Sequence, residues 1–329
     1  MTSAVSPRVV DDPLARALTA LALEPSPRAH VLHNWRVLAR TAEHDLDAAR
    51  LAEAHLDAAT ITDELGGAAV EPGSLWGVWA AGSADSAVHA VQDGTGWSLT
   101  GRRPWCSGSD RCTHALVTAD AHDGGRLVAV DLTTPTARPD GDPWQGVGMR
   151  ASGTATVRFT ATPARPVGGP GAYLERPGFW HGAVGVAAAW FGGAVGAAAP
   201  LRERLAQGRG DEHDAAHLGR VDTALGSAGA VLRAAAVEIA DPAALTETVP
   251  HARRRALRAR AVVEAAVETV LRSTGRATGP RPLAQDADHA RHVADLEVYV
   301  RQSHAERDLA TLGRLAADLD GGRSDGVRL

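Results

Sequence analysis

The chain has no lysine; all 34 of its basic residues are arginine. That absence excludes a Schiff-base lysine, a pyridoxal phosphate anchor and the lysine of a Walker A phosphate loop, each of which needs the amine. Cysteine is nearly as scarce. Cys106 and Cys112 are the two present, too few for a disulfide framework and in keeping with a reducing cytoplasm, the expected location. A positive excess is missing too. The formal net charge is −5, whereas a nucleic-acid binder usually carries a basic footprint. The opening residues MTSAVSPRVVDDPLAR hold no apolar run of signal-peptide length.

One segment has the length and uncharged character of a membrane span: FWHGAVGVAAAWFGGAVGAAAPL, residues 179–201. It consists mostly of alanine and glycine, which contribute little transfer free energy and let helices pack closely, so a buried helix is expected and no membrane partner. Its glycines do not sit in a strand–turn–helix unit, so they are no dinucleotide fingerprint.

What is present falls into three textures, expected as domains over 1–66, 67–172 and 173–329. Residues 13–66 are rich in Ala, Leu, Asp and Arg at helical spacing. Residues 67–172 bring Gly, Pro, Thr, Val and Trp in short alternating runs (WGVWA, WSLTG, HALVTA, RLVAVDL, ATVRFTA). Turn signals at 93–94 and 123–125 separate them, which reads as an antiparallel β-domain. From 173 the helical period returns in four segments, to about Ala206, then 211–240 with Asp211 as N-cap, 251–274 and 284–319. Four helices on short connections read as a bundle, giving an α+β chain.

Histidines at i,i+4 (His213, His217) and the set Asp288, His289, His292 and Asp295 have metal-ligand spacing. No third ligand cluster accompanies them, so ion-paired, solvated helix faces are expected and no metal. Both cysteines are expected to be buried, inert thiols.

The order helices, β-domain, four-helix bundle, together with Trp105-Cys106-Ser107-Gly108 in DGTGWSLTGRRPWCSGSDRCTHALVTA, resembles the acyl-CoA dehydrogenase superfamily. WQGVGMRASGTATVRFTATPA resembles a strand pair of that family. RERLAQG resembles its Arg-x-x-Phe-Gly bend, with Arg204 and Gly208 on the conserved letters and Gln207 in place of Phe. The resemblance implies FAD, with Trp105 beside the ring, Ser107, Gly108 and neighbouring amides at its edge, and Arg204 at the pyrophosphate of a neighbouring subunit in a homodimer or homotetramer. A rim of Trp, Ser and Gly can supply both donors and a wall against water.

The chain departs from the family pattern in four places. Its N-terminal helical region is about half the usual size. The family's Thr-Glu-Pro-x-x-Gly-Ser-Asp loop reads Trp79-Ala80-Ala81-Gly82-Ser83. The base that takes the α-proton of an acyl thioester, normally glutamate, falls on Ser303, and its alternative position on Trp190-Phe191. Adenine-end contacts fall on Ala216-His217 and Gly275-Arg276. PLAQDADHARHVADLEVYVRQSHAERDLATLG resembles the last helix of the group D flavin monooxygenases, and on that match His304 lies nearest the chemistry. Three functions follow from the resemblance: an FAD-dependent dehydrogenase acting on an acyl thioester or related small molecule, a monooxygenase using reduced flavin and oxygen, or a non-redox scaffold.

Overall fold

The computed structural model describes residues 30–81, 87–94, 96–141, 144–241 and 246–320. Among these the chain divides into two compact units. One comprises Arg50–Gly146 and Arg150–Arg176; the other comprises the residues up to Ala49, Val147–Met149 and those from Pro177 on.

Among the described residues two helices precede the strands, α1 (Val31–His44) and α2 (Leu46–Leu65). Seven strands follow: β1 (Trp76–Trp79), β2 (Val88–Asp93), β3 (Gly96–Cys106), β4 (His114–Ala121), β5 (Gly124–Asp131), β6 (Ala137–Pro139) and β7 (Ala155–Val167). The alternating runs become strands because period-2 apolar residues can all face one core. Leu99, Leu116, Leu127 and Phe159 are fully buried there. The turn at Gly94 joins an antiparallel pair in which Asp93 faces Gly96.

The sheet is mixed where the alternation reads as purely antiparallel. β1 runs parallel to β4, and so does β2 at the single pair His89 and Asp120. The β4–β5 and β5–β7 pairings then bring the order β4-β2-β3-β7-β5 back on itself. Alternation specifies a strand's faces and not its neighbours, so the sequence carries no mark of the parallel pairings.

The other unit holds α1 with α3 (Pro177–Ala197), α4 (Ala199–Ala206), α5 (Glu212–Ala240), α6 (Val249–Thr278), α7 (Arg281–Gln285), α8 (Ala287–Tyr299) and α9 (Glu306–Asp320). The Gly/Ala-rich segment is the buried helix α3. A Cβ on Gly192 would overlap the carbonyl oxygen of Ala39, and one on Gly196 that of Glu43, so the α1 and α3 backbones touch. Asp211 caps α5 as expected, accepting from the amides of His213 and Asp214, while Asp214 returns the bond to the Asp211 amide.

Three further expectations are corrected. The third bundle helix runs through Gly275 and stops at Gly279, whose φ of 66° with ψ of −161° is backbone that glycine adopts freely. The fourth is not one helix. Asp286 caps α8, and after a short 3-10 turn at Val300–Gln302 the chain goes extended at Ser303 before α9 begins. His292 and Asp295 are buried and not on a solvated face. His292 Nε2 lies 2.8 Å from the Gly193 carbonyl oxygen, and Asp295 accepts from the Met149 amide at 2.6 Å.

Candidate functional site

The β-unit presents one unusual side chain. Trp105 is 58% exposed and has φ 61°, a left-handed conformation that a bulky residue adopts only under constraint. The constraint is local. β3 slips register against β7 between Arg103 and Cys106, and Pro104 in that interval has no amide to give the ladder. The Ser107 amide then donates to the Trp105 carbonyl at 3.1 Å, closing the bend.

Below the bend a set of hydrogen bonds fixes the backbone. The Gly108 amide donates to the Ser152 carbonyl at 2.7 Å and the Ser109 amide to that of Gly153 at 3.1 Å. Trp79 Nε1 donates to the Ser107 carbonyl at 3.0 Å, and Thr154 Oγ1 donates to Ser107 Oγ at 3.0 Å. Gly108 is required twice over: its φ is 71°, and a Cβ would sit 2.6 Å from Cys112 Sγ and 2.9 Å from Leu51. The turn is thus a rigid pedestal. Ser107 is buried and its hydroxyl proton is still available for donation, whereas the Gly108 amide is committed within the protein. Above it, Trp105 meets Trp144 edge to face, centroids 5.8 Å apart and planes at 78°, a favourable aromatic geometry that holds the exposed ring in place.

Both cysteines lie buried beneath this rim. Cys106 Sγ donates to the Arg103 carbonyl at 3.1 Å, and burial pushes its thiol well above the ordinary range, which makes it a poor nucleophile at neutral pH.

The remaining anticipated residues belong to the helical unit. Arg204, in the last turn of α4, gives Nε to Asp214 Oδ2 at 2.7 Å. Its side chain is 40% exposed, so the rest of the guanidinium fork can meet an anionic group. Gly208 (φ 66°) makes the bend that follows. His304 stands between the 3-10 turn and α9, its side chain 59% exposed. Its amide donates to Asp308 Oδ2 at 3.2 Å and its Nδ1 lies 3.5 Å from Asp308 Oδ1, so one carboxylate steadies both backbone and ring. Ala305 beside it has φ 44°. Arg204 and His304 have separate partners, Asp214 and Asp308, with no direct contact between them. Ser303 donates to Glu264 Oε2 at 2.5 Å, and Glu264 Oε1 also lies 3.5 Å from Arg301.

One cluster went unread in the sequence. In the β-unit, Arg50 pairs with Glu53 at 2.6 Å and Arg176 with Glu64. Asp57 lies among these four charges and Tyr173. Burial pushes its carboxyl up to about 7, the arginines opposing and the glutamates reinforcing the shift. A carboxyl that changes charge near neutrality is a candidate proton carrier. The spacing 50, 53, 57, 64 along one helix face was its signal, but that pattern is indistinguishable from a solvated face until burial is known.

No family model and no curated protein matches the sequence. Solved structures do. The methanesulfinate monooxygenase MsuC of Pseudomonas fluorescens is 16% identical, with 94% of this chain and 97% of that one covered and a TM-score of 0.77. A steroid acyl-CoA dehydrogenase variant is 23% identical, with coverages of 94% and 88% and a TM-score of 0.72. The fold is that of the acyl-CoA dehydrogenase superfamily. KijD3, solved with FMN and dTDP-3-amino-2,3,6-trideoxy-4-keto-3-methyl-D-glucose, is 20% identical with coverages of 95% and 87% and a TM-score of 0.73. This acyl-CoA dehydrogenase fold therefore spans nearly the whole chain, and its relatives by shape include monooxygenases as well as dehydrogenases.

Proposed function

We propose that the protein is a flavin-dependent oxidoreductase acting on a small molecule, in the manner of the group D monooxygenases. One observation carries the reading: a rigid pedestal holds the Trp105 ring out in solvent at a backbone cost of about 1–3 kcal/mol, strain of the kind retained at functional sites. The exposed ring suits a planar heterocycle, the Ser107 hydroxyl can donate at its edge, and the free part of the Arg204 fork suits phosphate. Trp105 and Ser107 of the β-unit suit the ring of FAD and equally of FMN, the flavin in the KijD3 complex, while on the family resemblance Arg204 would serve the cofactor of a neighbouring subunit. A bound flavin would supply redox chemistry with molecular oxygen. His304 would take or return a substrate proton at Nε2 while Asp308 fixes the imidazole.

Acyl thioester dehydrogenation is the second reading, favoured by Glu264, whose carboxylate meets the hydroxyl at position 303. We rank it lower because that carboxylate is 12% exposed and already bound by Ser303 and Arg301, a poor state for a base that must reach an α-proton. A homo-oligomer, a cytoplasmic location and three-domain use of the chain over 1–66, 67–172 and 173–329 belong to the same proposal.

The test is the visible spectrum after FAD or FMN is added and the excess removed. Bound-flavin bands are expected, and Trp105→Gly should abolish them while raising the melting temperature, since glycine relieves the positive φ. His304→Gln should keep the bands and lose oxygen-dependent turnover. A protein that takes up neither flavin would leave the scaffold reading. Reduction by acyl-CoA, abolished by Glu264→Gln, would instead establish the dehydrogenase.

A further inference from the structure

Three hydroxyls form a chain beneath the Trp105 rim. Ser152 Oγ lies 2.7 Å from Thr154 Oγ1, and Thr154 Oγ1 lies 3.0 Å from Ser107 Oγ. A hydroxyl has one proton to give and lone pairs with which to accept, so the direction of each link can be worked out. Thr154 donates to Ser107. Its one proton is then spent, and the contact with Ser152 must be Ser152 donating to Thr154. The proton of Ser107 is left pointing away from the chain, and no acceptor among the described residues takes it.

The backbone holds this chain still. Besides the amide bonds from Gly108 and Ser109, Ser109 Oγ donates to the Gly153 carbonyl at 2.8 Å and Arg111 Nη1 to that of Ala151 at 3.0 Å. The segment that supplies Ser152 and Thr154 is thus stapled to the turn that supplies Ser107. Gly153 permits the close approach: its φ is 60°, and a Cβ there would overlap a carboxylate oxygen of Asp110. Ser152 is 1% exposed and Ser107 8%, so water competes little for either hydroxyl. Hydroxyls that all donate in one direction polarise one another, strengthening each bond by about 10–30%. The last donor, Ser107, receives that gain.

We propose that Ser152 and Thr154 are positioning residues that lock the Ser107 hydroxyl as a donor, so that the ligand atom seated against it is an acceptor, a ring nitrogen without hydrogen or a carbonyl oxygen. A ring N–H in the same place would meet the Ser107 proton head on and is refused. The proposal rests on the flavin reading, since the edge of an oxidised isoalloxazine carries such acceptors and hydrogen bonds to them tune the ring. It adds to that reading two residues that act only through Ser107, and it states which hydrogen-bonding character the ligand must present.

Infrared difference spectroscopy of the full chain loaded with FMN tests it, read in the C=N and C=O stretching region. Ser107→Ala identifies the reporter band, the one that shifts when the donated bond is lost: C=N for a ring nitrogen, C=O for a carbonyl. Thr154→Val keeps the side-chain shape and removes the hydroxyl. It should move the same band part of the way and weaken FMN binding about three- to tenfold, the worth of one neutral hydrogen bond. Thr154→Ser should restore both, and Ser152→Ala should move the band less than Thr154→Val. Loss of a merely structural contact would lower the affinity and leave the band in place, which overturns the proposal. A spectrum in which Ser107→Ala moves no band overturns it too. A native chain that takes up no FMN, seen in the visible spectrum beforehand, overturns the flavin reading and this proposal with it.

Discussion

Helices α3 and α5 share a unit and a composition, and the fold uses them in opposite ways. The segment of α3 with α4, Pro177–Ala206, and helix α5 are each long and apolar enough to cross a membrane, with mean hydropathies of 1.5 and 1.3 over their most apolar windows. Yet 67% of the first window is buried and 33% of the second. The difference lies in what touches the glycines. On α3, Gly192 and Gly196 abut backbone carbonyls of α1, whereas Gly219 and Gly226 on α5 have open space around them. The same residue type is a packing requirement on one helix and a vacancy on the other. Hydropathy averaged over a segment cannot tell the two apart.

The largest expected effect breaks α3. Gly192→Ala places a methyl against the Ala39 carbonyl oxygen, and the helices can separate only by surrendering their contact. A loss of about 3 kcal/mol is expected in denaturant unfolding, at the upper end of overpacking costs. A neutral result would mean that α1 is not held on α3 by backbone contact.

A second prediction carries the contrast between context and composition to α2. Asp57 would titrate near 4 if solvated, but in the fold it titrates at about 7. A folded value above the unfolded one gives a contribution fully present near pH 4 and lost as pH rises to 7. The stability of the native chain should therefore fall over that interval relative to Asp57→Asn. The variant should gain about 2 kcal/mol at pH 8, after discounting the full shift for solvent screening. Parallel unfolding curves at pH 5 and pH 8 decide it; identical pH dependence in both proteins would mean that Asp57 is solvated.

The smallest effect is the mirror of the first. Gly226→Ala on α5 meets nothing within 4 Å and should stabilise the helix by about 0.5–1 kcal/mol, through propensity and a less free unfolded chain. Opposite signs for one substitution on two helices would sharpen the comparison. Destabilisation at Gly226 would show that its surroundings are closed.

Legibility in the sequence followed the range of the interaction. The strand runs, the Asp211 cap, the bend at Gly208 and the close packing of the small residues of α3 could all be read from neighbouring residues. Trp105 could be singled out too, through its place between Pro104 and Ser107-Gly108. Its left-handed backbone could not, because that results from slippage between β3 and β7, strands about fifty residues apart in sequence.

By itself the sequence determined where helices and strands form, because periodicity and capping act within a turn or a pleat. It also excluded amine chemistry, because lysine is absent. Only the tertiary structure decided that the sheet is mixed, that the last helix breaks at Ser303 beside His304, and that burial raises the Asp57 carboxyl to about 7. It alone left the face of α5 open. The physical reason is common to all four: burial and pairing are properties of residues brought together from distant parts of the chain, and no local pattern of side chains specifies its own surroundings.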